Sequence, residues 1–461
     1  MLDRRRAGDR VGHKPVAMLR LILFLALAVG CVGSDDAGRP DGGAPGGTGG
    51  TTAVSWKPRV IHTTDLGADP DDQQSMVRQL VLANEYDLEG LIVATGCWKK
   101  RQSDTSMLDA LVDAYGQVVS NLQVHAEGYP SYEYLKSISV MGQTGYGMDD
   151  VGEGRDSAGS NLIIATVDRD DPRPVWATCW GGCNTIAQAL WTVQNTRSAA
   201  ELAQFVSKLH VYDVLGQDNA GTWMARTFPD LLYIRATGVY GWAPSDGWID
   251  THVQTHGALG AIYPDRRYAT EGDTPAFMHL YPHGLNDPIR VDQGSWGGRF
   301  GPSKRTGIRG MSCMDGEDAP HDPYFMYGNT PEGSEAISRW RPAYDNDFEA
   351  RMDWSITSSY ADANHHPIAI ANGDTTREVL EVSTAAGSRV ALSAAGSSDP
   401  DGDALTYQWF FYEEPSSYSG SVTIENDSAE SATLVVPSDA GGQTLHVILE
   451  LHDNGSPCLL Y

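Results

Sequence analysis

Between Arg59 and Leu215 the chain alternates short apolar runs with stretches of helical spacing, and few folds accommodate that alternation. Arg59 to Thr64, Leu88 to Thr95, Val175 to Thr178 and Val211 to Leu215 read as strands. Between them Gln73 to Asn84, Ser106 to Leu122 and Asn184 to Gln194 read as helices, with Met76, Val77, Leu80 and Val81 making the apolar face of the first. Strands apolar throughout, separated by helices, predict an α/β core, a mostly parallel sheet covered on both faces. Ligands of such sheets bind where the carboxyl ends of the strands open into loops.

The pattern changes near Pro367, which divides an α/β domain over 56–366 from a C-terminal domain over 367–461. Val379 to Ser383, Arg389 to Ser393, Leu405 to Tyr412, Ser421 to Ile424, Ala432 to Val435 and Thr444 to His452 are β-type runs separated by turn residues. They predict a small all-β, immunoglobulin-like sandwich, and because the sequence stops soon after a strand, the last strand is expected to be missing. In the turn SSDPDGDAL, Asp399, Asp401 and Asp403 alternate, which fits either a solvated loop or calcium ligation.

Arg4, Arg5, Arg6, Arg10, Lys14 and Arg20 precede an apolar run from Leu21 to Val29, the layout of a secretory signal over 1–30. Ala28, Val29, Gly30 and Cys31 resemble a lipoprotein cleavage box, which makes Cys31 the lipidation candidate; an ordinary signal with an incidental cysteine is the alternative. Residues 31–55 are Gly, Asp, Pro and Thr-rich and read as a tether. Both readings place the protein outside the cytoplasm, in the cell envelope or beyond. A formal net charge of −27 excludes a general nucleic-acid binder.

The strongest chemical signal is RVIHTTDLGADPDDQQS, Arg59 to Ser75, in which one strand delivers Asp65, Asp69, Asp71 and Asp72 into a loop that opens a helix. One or two such acids could simply cap the helix. Four within eight residues repel one another unless a cation or buried hydrogen bonds neutralise them, and hard oxygen donors suit Ca²⁺ or Mg²⁺.

With these residues the chain resembles the nucleoside hydrolase superfamily, more closely its branch of nucleoside hydrolase-like domains in cellulose-binding proteins. TDLGADPDD resembles the family's DxDPGxDD loop with two residues inserted, WGGCNTIAQAL from Trp180 resembles GPLTNIAxAL, and GLNDP from Gly284 resembles HDP. EGYPS, GQDNAG, EGDTP and GSWGGRF are stretches shared with the closer branch. The resemblance implies that Asp65, Asp72, Asp287 and the backbone carbonyl of Asn184 ligate Ca²⁺. It further implies that Asp65 is the catalytic base and that Asp71 binds a sugar hydroxyl. Two positions depart from the family: Gly96 and Cys97 stand where it has a Gly-Asn pair that serves the ribose, and Asn286 replaces the histidine before the distal aspartate. The expected activity is therefore hydrolysis of a glycosyl bond, N- or O-linked, through a calcium-bound water, with no commitment to a nucleoside.

A rival reading rests on aromatic rings in Gly-rich contexts, Trp98, Trp180, Trp242, Trp248, Trp296 and Phe300, which could stack on sugar faces in a non-catalytic carbohydrate-binding protein of the envelope. Each Trp has buried anchoring as its alternative. His283 is read either as a stand-in leaving-group acid or as an exposed loop histidine. Cys179 and Cys183 read as small residues at a strand end and a helix start, with a disulfide permitted but not required.

Overall fold

The computed structural model describes residues 57–267, 270–305 and 324–461, together with Ile22–Leu23, two residues that run parallel to His446–Val447. The expected signal, Cys31 and most of the tether lie outside the described residues.

Eight strands form the core sheet: β1 Arg59–Thr64, β2 Asp87–Val93, β3 Ser139–Met141, β4 Val175–Cys179, β5 Leu209–Val214, β6 Leu232–Ala236, β7 Phe300–Arg305 and β8 Tyr324–Asn329. Their order is β3-β2-β1-β4-β5-β6-β8-β7, parallel throughout except for the β7/β8 hairpin. β1 is buried along its whole length because it has a parallel neighbour on each side and helices on both faces. Strand order reverses there, β2 on one flank and β4 on the other, so the crevice beyond Thr64 and Cys179 is the topological switch point.

Helix α1, Asp71–Val81, begins with Asp71 and Asp72 in its first turn, where the helix dipole favours acids, and buries almost every residue. α2, Ser106–His125, packs beside it; α3, Tyr132–Ile138, and α4, Ala158–Val167, follow, and α5, Asn184–Thr196, covers the other face. Among the described residues no helix is long and apolar enough to cross a membrane.

The C-terminal strands are β9 Arg389–Ser393, β10 Thr406–Tyr412, β11 Thr423–Glu425, β12 Ser431–Val435 and β13 His446–His452. β9, β12 and β11 make one antiparallel sheet, β10 and β13 the other, and Trp409, Leu434, Leu445 and Val447 fill the space between them. The expected strand Val379 to Ser383 does not form. Leu380 and Val382 pack on the sandwich core from an irregular segment instead. Nor is the 399–403 turn simply solvated: Asp399 accepts the N–H groups of Asp401 and Asp403, and Asp401 accepts both the backbone N–H and the Nδ1 of His365 at 2.7 and 2.9 Å.

That contact is one of several joining the two units. Arg377 donates to Glu85 at 2.8 Å, Asn364 to Asp453 at 2.8 Å and Asn346 to the carbonyl of Cys458 at 2.6 Å, while Trp340 meets Tyr412 edge-on. Glu85 also accepts from Arg351 at 2.9 Å. Burial alone would raise the Glu85 carboxyl, but Arg377 and Arg351 beside it hold it down to about 2. A carboxyl depressed by folding contributes stability above its unfolded value of 4.5 and loses it as pH falls toward 2. Acid melts should therefore show a loss of about 3 kcal/mol across that window. Glu85→Gln should flatten the same window and lower the melting temperature at pH 7.

Candidate functional site

The loop after β1 folds so that its acids converge. Thr64 donates its hydroxyl to Asp72, Asp69 accepts the N–H of Asp71 at 3.3 Å, and Asp71 accepts the N–H of Asp72 at 3.1 Å. Carboxylate oxygens of Asp69, Asp71 and Asp72 lie within 4.8 Å of one another. Asp65 sits beneath them, 1% exposed, with Oδ2 buried and without a hydrogen-bond partner.

Two glycines make room for Asp65. A Cβ on Gly96, at the end of β2, would lie 2.0 Å from its Oδ2, and one on Gly181, after β4, would lie 2.5 Å from its Oδ1. Only backbone can approach from either side. Gln217 ties these two flanks together: its Nε2 donates to the Trp180 carbonyl at 2.5 Å and its Oε1 accepts the N–H of Cys97 at 3.3 Å. A disulfide between Cys179 and Cys183 closes the loop that carries Gly181, so the pair expected merely to be small residues is a staple. Cys97 is disulfide-bonded too, and its sulfur is not a sugar ligand.

The fifth carboxylate of the group is Asp273, from EGDTP, a residue not singled out from the sequence. It is 2% exposed, its Oδ2 lacks a partner, and its strongest charge neighbours are Asp71 and Asp72. Asp273 is delivered by a buried ion pair. Arg78 of α1 donates to Glu271 at 2.5 Å, and Tyr263 and Thr274 donate to the same carboxylate at 2.7 and 3.0 Å. Glu271 adopts a left-handed φ of 48°, turning the chain so that Asp273 points back at α1. Gly272 completes the approach, since a Cβ there would lie 2.6 Å from Asp71 Oδ2.

Asp287 does not join this group. It is half-buried on a different loop, among Arg290, Glu378 and Glu381, and its Oδ1 accepts the N–H of Ile289 at 3.1 Å. The Asp-Pro pair matched the family in letters, but its loop runs beside the segment leading into the sandwich. Asn184 is buried at the first position of α5, where its carbonyl is directed along the helix axis, away from the loop holding Gly181. Its side chain donates to Thr95 at 3.1 Å and to the Gly145 carbonyl at 2.7 Å, bracing the loops on the β2 and β3 side.

Four of the aromatic candidates are core, among them Phe300, which is fully buried edge-on to Tyr212 at 5.5 Å. Trp242 is fully buried with its Nε1 donating to Val239, Trp296 stacks on Tyr281 at 4.6 Å, and Trp180 leans on His62 at 4.8 Å. None presents a ring face to solvent. His283 is neither an acid at the site nor an exposed loop residue: it is buried edge-on against Trp296 at 4.5 Å, and burial pushes its imidazole down to about 3. It lines a small apolar void of about 40 Å³ at the domain junction.

The open cleft, about 980 Å³, lies above Asp69, with Trp98, Tyr240, Pro244, Arg266, Thr270 and Arg341 among its walls. Trp98 is 55% exposed, and the Tyr240 hydroxyl reaches Asp71 at 3.4 Å. Sequence context could not tell this tryptophan from the buried ones, because all of them sit beside glycines and polar residues.

A parallel sheet with a carboxylate group at its switch point, followed by a β-sandwich, is a nucleoside hydrolase-like architecture. Residues 59–300 match the family model of the cellulose-binding Sde182 nucleoside hydrolase-like domain, and residues 389–461 match that of the C-terminal domain of cellulose-binding protein Sde0182. The chain belongs to this family. It is 63% identical to a solved nucleoside hydrolase-related protein of Saccharophagus degradans associated with carbohydrate metabolism, at a TM-score of 0.85 over 88% of this chain and 97% of that one. Two effector structures, XOO4466 and XopQ complexed with adenosine diphosphate ribose, are 11% and 9% identical at TM-scores of 0.35 and 0.32. Each covers 66% of this chain, and 95% and 96% of its own, and likeness of that order carries no argument. No curated protein matches the chain.

Burial, and then repulsion from Asp69 and Asp71, pushes the Asp65 carboxyl up to about 8; Asp71, Asp72 and Asp273 are raised as well, again by burial first. A carboxyl raised by folding binds its proton more tightly in the folded state, so its contribution is favourable below 3.8 and is lost as pH climbs through 8. In chelator, the melting temperature should fall over that range, and Asp65→Asn should remove much of the slope. Separately, Glu271→Gln removes the nearest counter-charge of buried Arg78 and leaves only Asp345 at 4.0 Å, so chemical denaturation should register a loss of about 3 kcal/mol.

Proposed function

We propose that this protein hydrolyses a glycosyl bond at the cleft floor, with Ca²⁺ held by Asp65, Asp72 and Asp273. The observation that carries the reading is the pair of buried, partnerless carboxylate oxygens, Asp65 Oδ2 and Asp273 Oδ2, facing one acidic group beneath an open cleft. A buried acceptor without a donor costs free energy that a cation would recover, and an all-carboxylate donor set suits a hard divalent ion. Bound there, Ca²⁺ would supply charge that acidifies a water and draws in vicinal sugar hydroxyls. Asp65, boxed by Gly96 and Gly181, accepts the water's proton as its oxygen bonds to the anomeric carbon and the glycosyl bond breaks toward the leaving group. Asp71, whose carboxylate Tyr240 already reaches, accepts from a sugar hydroxyl, while Trp98 and Tyr240 offer ring surface to the sugar. The relative's association with carbohydrate metabolism and the family's cellulose-binding description support a carbohydrate substrate.

The exposed Trp98 favours a second reading, carbohydrate binding without chemistry, in a protein exported to the envelope. The basic and apolar N-terminal pattern supports export, with a lipid on Cys31, and the Cys179–Cys183 disulfide suits an oxidising compartment.

One set of measurements separates the two. Release of sugar from N-ribosides and O-glycosides by the full chain should fall at least about a hundredfold in Asp65→Ala, with calcium raising the melting temperature of wild type but not of Asp72→Ala. Equal rates in wild type and Asp65→Ala would sink the hydrolytic reading. Polysaccharide affinity that survives chelation but is lost in Trp98→Ala would establish the binding one.

A further inference from the structure

The cleft sets two arginines in its walls above an acidic floor. The protein carries −27, with 60 acidic residues against 33 Lys and Arg, yet two guanidinium groups line this one cleft. Trp98 lines the same cleft, while the next residue, Lys99, is turned to the Leu66 carbonyl at 2.6 Å.

Neither cleft arginine is spent. Arg266 has its ion pair with Asp246 at 3.7 Å, with side chains 53% and 68% exposed, a separation and exposure at which solvent screens most of the attraction. Arg341 donates to the carbonyls of Trp242 and Ala243, which fix the guanidinium in place without cancelling its charge. Its acidic neighbour, Asp345 at 3.6 Å, is shared with Arg78 at 4.0 Å, and burial pushes its carboxyl up to about 7. The remaining acidic wall residue, Asp69, belongs to the aspartate end of the cleft, where uncharged hydroxyls are wanted.

We propose that the cleft selects acidic glycosides, sugars bearing a carboxylate or a phosphate ester, whose anionic group is seated by Arg266 and Arg341 while the glycosyl bond lies over the aspartates. The inference rests on the glycoside reading given above and adds the substrate's charge. Planar guanidinium forks pair with carboxylate and phosphate oxygens in a way that a neutral glucan cannot use. In a chain this acidic, a local cationic pair is what permits an anion to approach at all.

The test is calorimetric titration of the full chain, in calcium, with three matched ligands: cellotetraose, the same tetraose with one residue oxidised to a C6 carboxylate, and the same tetraose phosphorylated at one C6. Wild type should bind at least one of the two acidic ligands about tenfold more tightly than the neutral one at low salt, and the advantage should shrink in ~0.5 M NaCl. Whichever acid is preferred identifies the anion. The acidic-to-neutral affinity ratio should collapse toward one in Arg266→Gln. That variant leaves the Arg341 carbonyl contacts intact and keeps the test valid if Arg341→Gln fails to fold. Arg389→Gln, on the sandwich surface, should keep the wild-type ratio. Equal affinity for all three ligands, or an acidic preference that survives Arg266→Gln, would overturn the inference and leave the glycoside reading standing. Failure of wild type to bind any of the three would count against both.

Discussion

The buried pair between Arg78 and Glu271 is the interaction on which the rest of the site depends. α1 carries two things on one rigid element: acids at its N-terminus and, two turns further on, a fully buried cation. The cation captures Glu271, and Glu271 bends the chain so that Asp273 returns to the acids. Arg78 also lies over the Phe348 ring at 4.0 Å and donates to the Tyr344 carbonyl at 3.0 Å, so the same side chain fixes the helix Arg341–Ile356, which carries Arg341 to the cleft. A group of like charges cannot assemble itself. Here it is assembled by an opposite charge set two turns along the same helix.

Repulsion among the aspartates then sets what the remaining structure must do. Thr64 and the backbone N–H groups of the loop each take part of the negative charge, but two oxygens are left over, on Asp65 and Asp273. They are held in place because the surrounding backbone leaves them no alternative: Gly96 and Gly181 press on one carboxylate, while Gly272 admits another. The sandwich contributes from a distance, since Arg377 and Asp401 hold it against Glu85 and His365 of the α/β unit.

Much of this was legible in the sequence wherever the determinant was local. β1 and the start of α5 fall where an unbroken apolar run and an abrupt change of period place them, and the strand Arg389–Ser393 does too. The convergence of Asp65, Asp71 and Asp72 could be read because all three leave one strand and enter one helix. Asp273 could not, since its position depends on a contact between Arg78 and Glu271 that spans most of the domain. The letters of GLNDP suggested Asp287 in its place, and letters do not report which loop faces the switch point. Trp180, Trp242 and Trp296 misled for a related reason. Glycine neighbours are also what a bulky ring requires when it packs tightly, so Gly-rich context did not distinguish a wall from a core. Val379 to Ser383 alternates like a strand, but it makes a single bridge at Leu380 rather than a ladder.

The division between floor and walls has a consequence for divergence. The floor is held by sheet register, two glycines, a disulfide and a buried ion pair, each intolerant of change. The walls, Trp98, Tyr240, Pro244 and Arg266, stand on loops that leave the strand ends and contribute little to that floor. If the glycoside reading holds, editing a few loop positions would change the saccharide accepted while leaving the floor unaltered. Sequence identity across the strands would then be a poor guide to which sugar a homologue takes.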